Sequence, residues 1–353
     1  QVAVAAVRAL RRRELFRIAA AEILHLAEPD QAAQSLSNVA RVTLSGALYV
    51  SRAVVEREIG QPLPMRLAVI AMGRFGGDEL GFSSDADVMF VYRAEDGADE
   101  TEANRAAHLV ANDLRTRLMA PSEDPPLEID ADLRPEGRQG PLVRSLESYA
   151  AYYDRWSAPW EAQALLRASF AAGDEAVGAQ FIAMIDGLRY PPGGVAETDV
   201  REMRRLKARM EAERLPRGAD PGLHTKLGRG GLSDVEWVAQ LLQMQYAGSI
   251  PSLRTPRTLA ALDGAVDAGL LLTADANALR AAWRLATSVR NAAMLVRGTA
   301  TDQIPADAKE RAGVAHLLGY GAGQSGALVD DYRRVTRRAR QVVERVFYGA
   351  EPS

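Results

Sequence analysis

The stretch GRFGGDELGFSSDADVMFVY, residues 73–92, decides the fold, because an acidic pair stands where a glycine-rich turn meets an apolar run. The apolar run at residues 86–92 predicts a β-strand. Side chains alternate between the faces of a strand, so Asp85 and Asp87 point the same way, roughly 7 Å apart at ~3.3 Å per residue. Two carboxylates this close repel each other, and a hard divalent cation such as Mg²⁺ or Mn²⁺ removes that repulsion.

A second pair of carboxylates follows on a third predicted strand. Residues 65–73 form an earlier short apolar strand, and residues 127–133 alternate apolar and acidic side chains. Asp130 and Asp132 share one face of this third strand. If it pairs beside the strand at 86–92, a third carboxylate joins the first two, which gives a ligand set for two metal ions about 3.5–4 Å apart. The alternative is a solvated Asp-x-Asp at a strand edge, because the bare pattern is common.

Glycines and serines around the acidic pair indicate phosphate binding. Gly76 and Gly77 follow the first strand and precede a possible helical turn, and backbone amides in such a turn can approach phosphate oxygens closely. Ser83 and Ser84 add hydroxyl donors beside the carboxylates. Phosphate donors on one side and metal ligands on the other suit phosphoryl or nucleotidyl transfer. A plain turn is the alternative for the two glycines.

The remaining pattern is mostly helical. Apolar spacing predicts helices over residues 2–58 with a break at 28–30, an amphipathic helix over 100–120, and helices throughout the chain after about residue 145. The fold class is therefore α+β. We expect a helical lead-in (1–60), a small sheet domain (61–172) and a helical-bundle domain (173–353).

Length and composition narrow the class of protein. The chain has 353 residues, a formal net charge of −3 and no cysteine. The net charge argues against a nucleic-acid partner, no apolar run reaches the ~20 residues of a membrane span, and the lack of cysteine suits a cytoplasmic location. The sequence opens at Gln1 inside a helical pattern, so we expect a fragment of a longer polypeptide.

Four motifs, in order, resemble the glutamate-ammonia ligase adenylyltransferase family, also called glutamine synthetase adenylyltransferase, of the nucleotidyltransferase superfamily. They are GRFGGDELGFSSDADVMF (73–90), IDADLRPEGRQGPLV (129–143), WEAQALLRA (160–168) and KLGRGGLSDVEWVAQ (226–240). The resemblance implies a polymerase-β-like sheet domain that uses ATP and Mg²⁺ or Mn²⁺ to transfer AMP to a tyrosine of glutamine synthetase. It also implies control by a signalling protein of the PII type.

Residue by residue, the resemblance implies that Asp85, Asp87 and Asp130 are the catalytic metal ligands and that Asp130 accepts the tyrosine proton. Arg134 becomes a candidate phosphate-facing cation, with a structural ion pair as an equal alternative. Asp132 stands where the family more often has arginine, so it receives no role.

The family's enzymes have two related halves, one attaching AMP and one removing it by phosphorolysis. Gln163 in WEAQALLRA favours the transferase half. The removase half, a non-catalytic nucleotide-sensing module, and a nucleotidyltransferase acting on a small molecule or nucleic acid remain as alternatives.

The other motifs have weaker interpretations. Lys226 is a candidate ligand of nucleotide phosphates. The alternative is that its motif serves only packing and helix capping, with Ser233 as the expected N-cap. Glu161 fits either a supporting base or an ion pair. The aromatic group is expected to be core rather than an adenine platform; it comprises Tyr149, Tyr152, Tyr153, Trp156 and Trp160. Residues 11–13 are expected to form a solvated helix face.

Overall fold

The computed structural model describes residues 2–156 and 158–350 and has a mixed sheet among many helices. The strands are β1 Met65–Ala71, β2 Ala86–Ala94, β3 Ile129–Asp130, β4 Val143–Ser145 and β5 Ser169–Gly173. The helices before the last strand are α1 Val2–Ile23, α2 Pro29–Ile59, α3 Gly73–Gly76, α4 Glu100–Met119, α5 Leu146–Trp156 and α6 Pro159–Leu165. Those after it are α7 Glu175–Arg189, α8 Glu197–Glu213, α9 Leu232–Tyr246, α10 Thr258–Asp267, α11 Thr273–Arg297, α12 Ala308–Leu317 and α13 Ser325–Val346.

Strand β2 organises the sheet. The strand order is β3-β2-β1-β5, and β4 also pairs with β2. β1 is antiparallel to β2 and to β5. The short β3 lies parallel to the first two residues of β2, and β4 lies parallel to residues 90–92. Both predicted apolar runs are thus strands, and their residues are almost entirely buried. The α+β class is confirmed.

One face of the sheet packs on aromatic side chains of the following helices. Met89 and Val91 of β2 lie in a buried cluster with Tyr149 of α5 and with Phe181 and Ile185 of α7. The Tyr149 and Phe181 rings meet edge to face, with centroids 5.1 Å apart. This packing fixes β2, the strand that carries the acidic pair.

The prediction of helices is correct for most of the chain and fails at one segment that belongs to the sheet. Helices α1, α2 and α4 confirm the expectations for 2–58 and 100–120. The expectation that everything after residue 145 is helical is wrong at residues 169–173, which form β5. This segment is rich in alanine and has weak strand propensity, so its pairing with β1 decides its conformation.

The basic run at residues 11–13 is not simply a solvated face. Arg11 is buried, and its Nη1 donates to the carbonyls of Pro125 and Pro126 at 3.1 and 3.2 Å. Burial, together with the nearby charge of Arg8, lowers the pKa of Arg11 to about 10. Arg12 forms an ion pair with Asp124 at 3.0 Å. These arginines hold the segment that leads from α4 to β3.

The chain divides into two compact units. The first comprises Gln1–Ala20, Ala32–Leu80 and Ser84–Arg189, and the second Ala21–Gln31, Gly81–Ser83 and Tyr190–Ser353. The lead-in helices therefore contribute most of their length to the unit that contains the sheet. Across the residues the structure describes, no helix is long and apolar enough to cross a membrane.

Candidate active site

The carboxylates predicted to act together lie on neighbouring strands of the first unit. In the parallel register of β2 and β3, Ala86 is opposite Ile129 and Asp87 is opposite Asp130. Paired residues of adjacent strands lie roughly 4.8 Å apart and point to the same face. Asp85 immediately precedes β2 and is exposed. The sequence prediction that Asp130 joins the Asp85–Asp87 face is therefore supported by the strand register.

Gly73 determines where the Asp87 carboxylate lies. Its φ is +50°, and a Cβ built on it would lie 2.5 Å from Oδ2 of Asp87. A side chain at this position would both strain the backbone and displace the carboxylate. The amide of Met72, one residue earlier, donates to the carbonyl of Asp87 at 2.8 Å. The first glycine of the motif thus serves the acidic pair directly.

Strand β3 is shorter than predicted, and this separates Asp130 from Asp132. The strand ends at Asp130, whose Oδ1 accepts a hydrogen bond from the amide of Asp132 at 2.7 Å. This side-chain turn takes the place of further strand pairing. Asp132 does not share a strand face with Asp130. Its carboxylate is 2.5 Å from Nε of Arg138 and 3.7 Å from Nη1 of Arg134.

Gly76 and Gly77 are used for packing, and their amides are already bonded. The amide of Gly76 donates to the carbonyl of Met72 at 2.7 Å, and that of Gly77 to Gly73 at 3.3 Å. A Cβ at Gly76 would lie 1.7 Å from the carbonyl oxygen of Arg167. The helical turn, α3, also precedes Gly77 instead of following it. This geometry does not support the predicted phosphate cradle, because neither amide has a proton left to offer.

Arg134 braces its own loop, which favours the structural alternative; its phosphate-facing role remains a prediction. It is buried, and its guanidinium makes four hydrogen bonds to three carbonyls within its own loop. The bonds are from Nε to Gly140 and Pro141 at 3.2 and 3.1 Å, from Nη1 to Ala131 at 2.7 Å, and from Nη2 to Gly140 at 3.1 Å. They close the loop that follows β3 and use three of the five N–H groups of Arg134.

Two further predicted ligands lie in the second unit. Ser83 belongs to the segment Gly81–Ser83 and Lys226 to the long helical part of that unit, whereas Ser84 begins the last segment of the first unit. Ser84 is half-buried and Lys226 is exposed. Their roles as ligands remain predictions.

Sequence reasoning missed a buried ion pair that braces the glycine turn. Nη2 of Arg167 lies 2.6 Å from Oε2 of Glu79, and both side chains are only 6% exposed. Nε of Arg167 donates to the carbonyl of Gly73 at 3.0 Å. The pair therefore links the end of the WEAQALLRA motif to the residue that positions Asp87. Both residues stand inside motifs quoted above, and that is the signal that could have identified them.

The remaining residues of the WEAQALLRA motif are structural or exposed. Oε2 of Glu161 accepts from the amide of Ala158 at 3.0 Å, and Oε1 accepts from the Tyr152 hydroxyl at 2.9 Å, so Glu161 caps α6. Trp156 and Trp160 are 71% and 44% exposed, so the expectation that they are core is wrong.

The glycine turn before α9 is explained by a charge network in the second unit. Ser233 is not the N-cap; the cap residue is Gly231. Asp234 is buried and accepts from Lys207 at 2.5 Å, Arg340 at 3.0 Å and the Gly230 amide at 2.7 Å. Burial alone would raise the pKa of Asp234, but the two cations outweigh it and lower the pKa. The lysine that is buried and paired is Lys207, not Lys226.

A cavity of about 370 Å³ opens beside the carboxylates of β2 and β3. Its lining is Asp85, Arg115, Met119, Glu128, Ile129, Asp130, Ala131, Asp132, Arg134 and Arg138. Carboxylate oxygens of Asp85, Asp87 and Asp130 are the donor type that Mg²⁺ and Mn²⁺ prefer. In the part of the chain described here, no group of three or more His, Cys, Asp or Glu side chains is already arranged to hold a metal ion. The donor chemistry and the strand register fit such an ion.

Comparison with known proteins indicates the family. The family model for glutamate-ammonia ligase adenylyltransferase matches residues 1–184, and the model for the PII-uridylyltransferase GlnD matches residues 201–348. Three similar curated proteins each carry the name bifunctional glutamine synthetase adenylyltransferase/adenylyl-removing enzyme. They come from Streptomyces avermitilis (58% identity over 99% of this chain), Streptomyces coelicolor (57% over 98%) and Mycolicibacterium smegmatis (51% over 98%). The chain spans 36%, 36% and 34% of their respective lengths, about a third in each case.

Proposed function

Because the chain belongs to the glutamate-ammonia ligase adenylyltransferase family, we propose that it transfers AMP from ATP to a tyrosine hydroxyl of glutamine synthetase. The phenol oxygen forms a bond to the α-phosphorus, the bond from that phosphorus to the bridging oxygen breaks, and pyrophosphate leaves. The observation that carries the proposal is the placement of Asp130 directly opposite Asp87 in the sheet, beside Asp85.

Each carboxylate has a distinct place in the proposed reaction. Mg²⁺ or Mn²⁺ ions held by Asp85, Asp87 and Asp130 would neutralise charge on the phosphates and lower the pKa of the tyrosine from its ordinary value of about 10. Asp87 is held by its contact with Gly73. Asp130 offers Oδ2 to the phenolic proton, because Oδ1 already accepts from the Asp132 amide.

The polymerase-β-like nucleotidyltransferase fold is part of the same proposal. Its support is a mixed sheet whose central strand carries the acidic pair and whose neighbour carries the third carboxylate. Residues 72–85, which include α3, connect β1 to this strand and lead directly to Asp85.

The transferase reaction is proposed over the removase reaction on the identity of Gln163. The test is to incubate the chain with Mg²⁺, glutamine synthetase and ATP labelled at the α-phosphate, and to measure label on glutamine synthetase. A parallel reaction supplies adenylylated glutamine synthetase with orthophosphate. Label incorporation without phosphorolysis supports the transferase, whereas phosphorolysis alone identifies the removase.

A matched pair of variants makes this test specific. Asp130→Asn is expected to abolish transfer, whereas Asp132→Asn keeps it, because the second change preserves the backbone amide that orients Asp130. If the wild-type chain catalyses neither reaction, enzymatic function is contradicted and the nucleotide-sensing module remains as the interpretation.

A PII-type signalling protein is the regulatory partner we propose for the second unit. The proposal rests on the match of residues 201–348 to the GlnD PII-uridylyltransferase family. Titration of a purified PII protein into the transfer reaction is expected to change its rate. An unchanged rate, together with no detectable complex between the two proteins, would contradict this partner.

A further inference from the structure

The cavity beside the carboxylates contains three arginines, and two of them are committed elsewhere. Arg134 donates to carbonyls of its own loop, and Arg138 is held by the Asp132 carboxylate at 2.5 Å. The third, Arg115, projects from the last turns of α4 and lines the same cavity as Asp85 and Asp130.

Arg115 differs from its neighbours in its lack of partners. Its Nε is buried and has no hydrogen-bond partner, and the described residues supply no ion pair to its guanidinium. Arg117, two residues further along the same helix, is paired with Asp113 at 2.5 Å. A buried polar group without a partner is costly. The unpaired Nε of the half-buried Arg115, on the wall of a cavity, therefore indicates an anionic ligand.

We propose that Arg115 binds phosphate groups of ATP in this cavity. The assignment deepens the proposed function and rests on it. A triphosphate that approaches Asp85 and Asp130 meets negative charge, and a fixed cation on the cavity wall offsets that repulsion. The planar guanidinium can donate two parallel hydrogen bonds to phosphate oxygens. The phosphate-facing cation expected at Arg134 is thereby supplied from α4.

The test measures equilibrium binding of three probes to the whole chain in Mg²⁺: ATP, inorganic pyrophosphate and adenosine. Arg115→Met keeps the aliphatic stem and removes the charge, and Arg115→Lys keeps the charge and removes the fork. We expect ATP and pyrophosphate to bind Arg115→Met about tenfold to a hundredfold more weakly than wild type, as for loss of a charge-assisted hydrogen bond. The affinity of Arg115→Lys for ATP and pyrophosphate should lie between those of wild type and Arg115→Met. The affinity for adenosine should not change in either variant.

Arg117→Met is the matched control, since it removes an arginine of the same helix that does not line the cavity. Unchanged ATP and pyrophosphate affinity in both Arg115 variants, with normal binding by wild type, overturns the assignment and leaves the proposed function standing. A wild-type chain that binds neither probe overturns the proposed function and this assignment together. Equal weakening in the Arg117 control also overturns the assignment, because the effect would then be unspecific charge.

Discussion

Replacing Gly73 with alanine should disturb the position of the Asp87 carboxylate far more than the stability of the fold. Gly73 has φ +50°, a conformation that costs an L-residue about 1–2 kcal/mol. The added Cβ would lie 2.5 Å from Oδ2 of Asp87, which is inside van der Waals contact. The Asp87 carboxylate is the end of a short side chain, so it can rotate away at little cost to the fold.

The expected result is therefore a modest loss of stability and a severe loss of transfer. The free energy of unfolding should fall by about 1–2 kcal/mol, as the backbone conformation alone dictates. AMP transfer should fall by at least about a hundredfold, because a displaced carboxylate can no longer act with Asp130 and misplacement by ~1 Å already costs that much. Urea unfolding followed by circular dichroism measures the first quantity, and incorporation of labelled AMP into glutamine synthetase measures the second.

Gly97→Ala provides the control for backbone strain. Gly97 has φ +79° and lies in the turn between β2 and α4, where an added Cβ has no neighbour within 4 Å. It should lose similar stability while transferring AMP at the wild-type rate. If Gly73→Ala also transfers at the wild-type rate with the same stability loss, the contact between Gly73 and Asp87 has no part in the reaction and the reasoning is refuted.

Three other perturbations probe buried charges. Arg167→Met should lower the free energy of unfolding of the first unit by about 3–5 kcal/mol, because it leaves Glu79 buried without its cation. Asp234→Asn should destabilise the second unit by about 3 kcal/mol or more, because Lys207 loses a carboxylate 2.5 Å away. Burial lowers the pKa of His224, so the folded state favours the neutral ring, and the second unit should lose stability as the pH falls below about 6.5. Urea denaturation measures all three, the last between pH 8 and pH 5.5.

Each of these has its own control. Adding Glu79→Gln to Arg167→Met should recover part of the lost stability; no recovery would mean that the cost is packing and not charge. Asp331→Asn is the control for Asp234→Asn, because it removes an exposed carboxylate and should cost far less stability; an equal loss would contradict the argument from burial. His224→Asn should flatten the acid side of the stability profile, since Nδ1 of His224 accepts from the Leu227 amide and an asparagine oxygen can replace it. An unaltered slope would assign the titration to another group.

The sequence was informative where structure depends on local pattern. Short apolar runs predicted β1 and β2, and the positions of Asp85 and Asp87 at the start of β2 followed from strand geometry alone. The sequence predicted that Asp130 lies beside Asp87 only if their two strands pair. The pairing itself could not be predicted, because the register of a two-residue strand depends on the loop that precedes it.

Residues with several plausible roles were harder to assign. Arg134 and Gly76 stand in motif positions that suit either phosphate binding or packing. Packing is favoured only by contacts that the sequence does not show, namely the carbonyls to which Arg134 donates and the carbonyl that lies against Gly76. Glu79 and Arg167 are 88 residues apart, so no local pattern joins them. Arg115 carries no motif, and its significance emerges only from the cavity that it lines.

The most direct test of the central claim is the binding of Mn²⁺ to the chain in the presence of ATP, followed by electron paramagnetic resonance. If Asp85, Asp87 and Asp130 share one site, asparagine at any one of these positions should remove bound Mn²⁺, while Asp132→Asn should bind it as wild type does. Full Mn²⁺ binding by Asp130→Asn would contradict the claim that β2 and β3 supply one set of ligands.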